Sequence, residues 1–294
     1  MIDATRYSLT AKERIVIERM LERISNEPTV EQIHQLIDEA WRICGCDNAH
    51  PRPEQLAVFY RDPVWLLNGM FIEQHDISMR HRRAIAGAVA RLAPSRVADF
   101  GGGFGTLARL LASAHPECHI DICEPYPPRH GRESCLLYPR ISFTTKLFSD
   151  YYDVLISTDV LEHVEDPLRC LASMVDSVHL GGHLFIANCF YPVVACHLPS
   201  TFHLRYTFDD FCAALGLEKV GQCAKSHATV YRRRQVLDPD WPRLRTMERS
   251  SKWRFPWRRW YEQNLHPWNR RMRTTAIEPG YYPRKLLKAL GWHR

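Results

Sequence analysis

A chain of 294 residues can hold one large domain with additions or two modest ones, and 45% hydrophobic with 24% charged residues is ordinary for a folded globular protein. No apolar run reaches the length of a membrane span, and Met1 to Thr10 lacks the charged and apolar blocks of a signal peptide, so the expected address is cytoplasmic. The formal charge of +6 is unevenly spread: residues 232–294 carry 14 Arg and 3 Lys against 5 acids, +12 in all, which leaves −6 on residues 1–231. The 10 cysteines are irregularly spaced within apolar patterns and read as reduced core residues rather than a disulfide framework.

In chain order, Thr10-Ala-Lys-Glu13 is a capping box that opens a helix with Ile17, Met20, Leu21 and Ile24 on one face. Thr29-Val-Glu-Gln32 is a second, opening a helix that aligns Ile33, Leu36, Ile37, Ala40 and Trp41, and the two predict an antiparallel pair. Cys44-Gly45-Cys46 with Asp47 and His50 lacks the second pair that a zinc site requires. A link with Pro51 and Pro53 leads to an aromatic segment from Phe59 and Tyr60 through Trp65 to Phe71, then to a basic helix from about Ser78 to Leu92.

Val97 to Phe100 reads as a buried parallel strand, and Thr106 to Ala114 as a helix with Leu107, Leu110 and Leu111 on one face. Between them Gly101, Gly103 and Gly105 permit positive φ and let a ligand approach the backbone. Ile120 to Glu124 is a second strand, ending in an acid 25 positions after Asp99, about where a doubly wound fold sets a carboxylate on ribose hydroxyls. Further strands fall near 141–144, 152–157 and 183–189, the last fed by a Gly181-Gly182 turn; a helix runs from about Thr207 to Leu215, and 220–222 with 228–231 form a closing hairpin. The expected fold is α/β, a Rossmann-like, doubly wound, mostly parallel sheet with a closing antiparallel hairpin. Residues 1–79 form an N-terminal helical cap, 80–231 the core and 232–294 a basic, Trp- and Arg-rich C-terminal extension.

Asp99-x-Gly-x-Gly-x-Gly105, the acid Glu124, Asp-Val-Leu-Glu-His-Val at 159–164 and Leu-Gly-Gly-His-Leu-Phe-Ile at 180–186 resemble the class I S-adenosylmethionine-dependent methyltransferases. The small-molecule branch that contains ubiquinone and sugar methyltransferases is the nearest in pattern. The resemblance implies S-adenosyl-L-methionine as cofactor, held by Asp99, Gly101, Gly103, Gly105, Glu124, Thr144 and Asp159. Many relatives carry an acid or amide after the third strand against the adenine, where this chain offers Thr144, Thr145 or a backbone amide. His163 is the candidate general base, the other reading being that it fixes its loop; His203 caps or lines the acceptor pocket. Small-RNA ribose methyltransferases of this fold hold a divalent cation with two Glu and two His. Here Asp159 replaces the first acid, with Glu162, His163 and either His197 or His203 following, and no metal is expected.

The expected reaction is methyl transfer to oxygen or nitrogen of a small molecule such as a sugar, a nucleotide-linked sugar or a lipid-linked intermediate. An RNA ribose methyltransferase and a non-catalytic methyltransferase-like subunit are the alternatives. A dinucleotide site fits the glycine and Glu-His phrases poorly. DNA base methylation is disfavoured, because Thr158-Asp159-Val160-Leu161 stands where amino-methylating enzymes carry Asn/Asp-Pro-Pro-aromatic. The interleaved Trp253-Arg-Phe-Pro-Trp-Arg-Arg-Trp-Tyr261 predicts docking on the acidic body or in a homodimer, contact with an anionic substrate or membrane surface, or, least expected, nucleic acid. Prolines 239, 242, 256, 267, 279 and 283 argue against one long amphipathic helix there.

Overall fold

The computed structural model describes residues 2–25 and 27–264. Five helices precede the sheet: α1 (Ala11–Leu21), α2 (Val30–Ile43), α3 (Pro53–Phe59), α4 (Pro63–Gln74) and α5 (Asp76–Ala90). Then come β1 (Arg96–Phe100), α6 (Thr106–Ala114), β2 (His119–Cys123), α7 (Arg129–Cys135), β3 (Ile141–Thr144), β4 (Tyr152–Thr158), α8 (Pro167–Ser177) and β5 (Val178–Ala187). The described chain closes with α9 (Phe208–Ala214), β6 (Leu217–Gln222), β7 (Thr229–Arg233) and α10 (Trp241–Asn264).

The seven strands form one sheet in the order β3-β2-β1-β4-β5-β7-β6, parallel except for β7, which runs antiparallel to both its neighbours. Strand β4 shows why the sheet is buried on both faces. Leu155 joins a core with α8 and α9, while Val154 and Ile156 point the other way into a core with α5 and α6. The order reverses between β1 and β4, so their carboxyl ends flank the crevice in which open α/β sheets take ligands.

Both N-terminal capping boxes form, at Thr10/Glu13 and Thr29/Gln32. The expected α1–α2 pair does not: each helix packs chiefly on α4. Helix α4 buries Val64, Leu66, Leu67, Met70 and Phe71, which spread around its circumference, so it serves as the hub of the cap. It also reaches the sheet. A Cβ built on Gly69 would lie 2.5 Å from the ring of Phe104, so only glycine lets α4 seat on the glycine loop.

Two further expectations are corrected. The Gly181-Gly182 turn lies inside β5, which pairs with β4 at Tyr152↔Val178 and resumes at Val154↔His183, so the glycines form a bulge in a longer strand. Pro242 and Pro256 do not break the described part of the C-terminal extension, since α10 runs unbroken for 24 residues. Pro242 falls in the first turn, where no N–H partner is lost, and Pro256 costs one bond to the Lys252 carbonyl that the docked face of the helix offsets. Prolines 267, 279 and 283 lie outside the described residues.

Candidate active site

The cofactor edge is built from β1, β2 and the turn between β1 and α6. Gly101, Gly103 and Gly105 have φ of 73°, 51° and 68°, as the sequence pattern requires. The Glu124 carboxylate holds the loop in place: Oε2 accepts from the Gly103 N–H at 3.1 Å and Oε1 from the Tyr126 N–H at 3.1 Å. Each oxygen keeps a lone pair for a further donor. Burial pushes the Glu124 carboxyl upward, against these two N–H donors. Asp99 is 1% exposed, and burial raises its pKa to about 7. It accepts from the backbone of Ala108, so it caps α6 from the neighbouring strand, while its Oδ2 has no partner among the described residues.

Thr144 also sits at this edge, at the end of β3. Its carbonyl accepts the Glu124 N–H at 3.0 Å, and its hydroxyl is engaged with the Lys146 backbone at 2.9 Å. Around Gly103 a Cβ would meet nothing within 4 Å, so the loop backbone faces open space with Glu124 beside it. These residues fit a ribose-bearing ligand on the glycine loop.

The acceptor edge follows β4. Residues Leu161–His163 form a single 3₁₀ turn that buries Glu162, and the segment after β5 brings His197 against it. His163 Nδ1 lies 3.1 Å from the Cys196 carbonyl, and His197 Nδ1 lies 2.7 Å from the Tyr191 carbonyl. A carbonyl only accepts, so each ring carries its proton on Nδ1 and presents a bare Nε2. Burial lowers the His163 pKa to about 3, helped by His197, and burial lowers His197 as well, so both are neutral. Glu162 Oε1 accepts the Cys189 N–H at 2.7 Å, whereas its buried Oε2 has no partner among the described residues. Burial and the neighbouring Asp159 push its carboxyl well above the usual range.

One donor atom from each of Glu162, His163 and His197 lies within 4.8 Å of the others. Two neutral imidazoles and an unsatisfied carboxylate oxygen are a donor set for a divalent cation. The structure selects between the candidate sets read from the sequence. His197 joins Glu162 and His163. His203 instead bonds Ser251 of α10 through Nδ1 at 2.8 Å and packs edge-on to Phe211, with its pKa lowered to about 4 by burial.

Asp159 belongs to a different network. Its φ of 55° is unusual for a residue other than glycine and turns its carboxylate toward His227, whose Nε2 lies 3.1 Å away. Burial raises this carboxyl, but the pairing with His227, with Arg82 and His197 nearby, outweighs it and holds the group below the usual range. His81 of α5 continues the line, its Nδ1 3.4 Å from His227 Nδ1. His227 sits in the β6–β7 connection and His81 in the cap-side helix, and no motif in the sequence flagged either.

Aromatic rings join the two edges. Tyr126 stacks with Tyr60 at 6.4 Å, Tyr60 meets His163 edge-on at 6.4 Å, and His163 meets His197 at 4.7 Å. Beside them opens a cleft of about 430 Å³ lined by Tyr60, Trp65 and Tyr126 with Arg61, Arg129 and Arg132.

A sheet of this order, with a glycine loop after β1 and a carboxylate after β2, defines a class I methyltransferase fold. A family model described as a methyltransferase domain matches residues 76–234, more than half of the chain, and the chain belongs to that family, whose cofactor is S-adenosylmethionine. Among curated relatives, the ubiquinone biosynthesis O-methyltransferase of Shewanella sp. (strain ANA-3) is 27% identical over 151 residues, 48% of this chain and 64% of the relative. That of Pectobacterium atrosepticum is 29% identical over 132 residues, 42% of this chain and 55% of the relative. The chain therefore spans less than two thirds of the length of these relatives. Similar solved structures include a mitomycin 7-O-methyltransferase, TM-score 0.47 and 17% identical, covering 69% of this chain and 67% of that one. Human N-acetylserotonin methyltransferase has TM-score 0.47 and 16% identity, with coverage of 69% and 67%. No described helix is long and apolar enough to cross a membrane.

Proposed function

We propose that the chain transfers a methyl group from S-adenosylmethionine to an oxygen or nitrogen of a small molecule. The observation that carries this reading is the unbroken contact path from Glu124 through Tyr126 and Tyr60 to His163, which sets a ribose-binding edge beside a polar, water-poor acceptor edge. Bound S-adenosylmethionine supplies an electrophilic methyl group on a sulfonium. The chain's own work is alignment and desolvation. Glu124 and the glycine loop hold the donor by its ribose, and Tyr60 and Tyr126 form an apolar wall between donor and acceptor edges.

His163 Nε2 can accept a hydrogen bond from an acceptor hydroxyl and so aim its lone pair. With its pKa near 3, it is a weak proton sink on its own. In the other arrangement Glu162, His163 and His197 would hold a divalent cation, which when bound lowers the pKa of a ligated hydroxyl; His163 Nε2 would then be a ligand rather than a hydrogen-bond acceptor. The curated relatives' name favours oxygen as the acceptor atom. The rings of the cleft, with Arg61 and Arg132 outside the Arg129 pairs to Glu13 and Glu133, support a ring-bearing acceptor with an anionic group, such as a nucleotide-linked sugar or a lipid-linked intermediate.

Calorimetric titration with S-adenosylmethionine and, in parallel, NADH tests the donor. Labelled methyl transfer to phenols, sugars, and nucleotide- and lipid-linked sugars, before and after chelation, tests the rest. Saturable binding of the sulfonium compound alone, with transfer to one acceptor class, is expected. A folded chain that binds neither cofactor refutes the reading in favour of an interaction subunit.

A further inference from the structure

Helix α10 docks by one face and displays another. Leu244 and Ser251 are buried, Phe255 packs 6.1 Å from the ring of Tyr206, and Arg258 donates to the Tyr206 carbonyl at 3.2 Å. On the opposite side Trp253, Trp257 and Trp260, spaced i, i+4 and i+7, are 79%, 70% and 49% exposed. Arg254 flanks this stripe on one side and Arg259 on the other, and neither joins an ion pair among the described residues. Three indoles held outward in one row mark an interaction surface. Charge decides what it meets. Arg254 and Arg259 flank the stripe, and residues 232–294 as a whole carry +12. The complement is anionic.

We propose that this stripe seats the protein on an anionic lipid surface, with the indoles in the headgroup layer and the arginines on lipid phosphates. The exposed indoles form one row on the outward side of the helix, which can lie against a plane, whereas a single nucleic-acid strand is gripped in a groove. The same helix touches the acceptor edge. Arg205 stacks on Phe255 of α10 at 4.8 Å and on Tyr191 at 4.7 Å, and the Tyr191 carbonyl holds His197. Docking stands independently of the methyl-transfer reading, because vesicle binding requires no turnover.

The test is co-sedimentation of the full chain with vesicles of phosphatidylcholine alone or mixed with phosphatidylglycerol, read together with tryptophan fluorescence. Binding to the anionic vesicles only, with a blue shift, is expected. Trp253→Ala with Trp257→Ala should abolish it, and Arg254→Gln and Arg259→Gln should each weaken it roughly five-fold. Circular dichroism and S-adenosylmethionine affinity should stay unchanged, since these side chains are exposed and none lines the cofactor edge. No binding to anionic vesicles at low salt, equal binding by the tryptophan variant, or tighter binding to polyuridylate than to vesicles would overturn the proposal.

Discussion

The cofactor edge comes mostly from residues 99–126, one strand-turn-helix-strand passage, with Thr144 added from the end of β3, whereas the acceptor edge collects Glu162 and His163 from after β4 and His197 from the segment after β5. The first edge is held by backbone hydrogen bonds to Glu124 and by glycine conformations that local sequence dictates. The second is held by side chains bonding to carbonyls far along the chain, such as His163 to Cys196. The difference teaches that the glycine-loop edge is held by local contacts, whereas the Glu162, His163 and His197 cluster depends on contacts far along the chain.

The sharpest way to break this division is to remove its two anchors separately. Glu124→Ala loses two charge-assisted bonds and should weaken S-adenosylmethionine binding about a hundredfold or more. His163→Ala should lower turnover while leaving that affinity within a small factor. Calorimetry on both variants decides, and equal losses of affinity would show that the edges act as one.

The acceptor edge can be probed without any acceptor. After chelation, the chain should bind Zn²⁺ or Mn²⁺, and His197→Ala should weaken that binding by about a hundredfold, because it leaves only two protein donors. A folded wild-type chain that takes up no divalent cation would make Glu162, His163 and His197 a loop-fixing cluster.

A third substitution tests how the cap serves the cofactor edge. Gly69→Ala forces Phe104 and the glycine loop off α4, and should cost about 1–3 kcal/mol in denaturant unfolding while raising the donor dissociation constant. An unchanged dissociation constant would uncouple the cap from the loop.

The remaining test is one of pH, and the two edges have opposite signs. Asp99 has its folded pKa raised to about 7, so its contribution to stability is complete below its unfolded pKa of 3.8 and is lost as pH rises toward 7. His163 has its folded pKa lowered to about 3, so its contribution is complete above its unfolded pKa of 6.5 and is lost as pH falls toward 3. Each group alters the slope by at most about 1.4 kcal/mol per pH unit. Asp99→Asn should flatten the loss on the alkaline side and His163→Asn the loss on the acid side. Identical profiles for both variants would contradict the burial that separates the edges.

Much of the fold was legible because strands β1 to β4 are short apolar runs bounded by turn residues, and because capping boxes mark α1 and α2. The partners of those helices were not legible: α1 and α2 both carry apolar faces, and nothing local says that α4 rather than the other helix receives them. Pro256 misled for a related reason. Its local cost is real, but the packing of Leu244, Phe255 and Arg258 on the body exceeds it.

By itself the sequence determined the alternation of strands and helices, the glycine loop and the acid Glu124, because each depends on periodicity, on φ or on spacing within about one supersecondary unit. Only the tertiary structure decided that His197 and not His203 joins Glu162 and His163, that Asp159 turns to His227, and that Trp253, Trp257 and Trp260 of α10 face outward. Those outcomes depend on which distant carbonyl or apolar face meets each side chain, and that is fixed by the packing of the whole sheet and its cap.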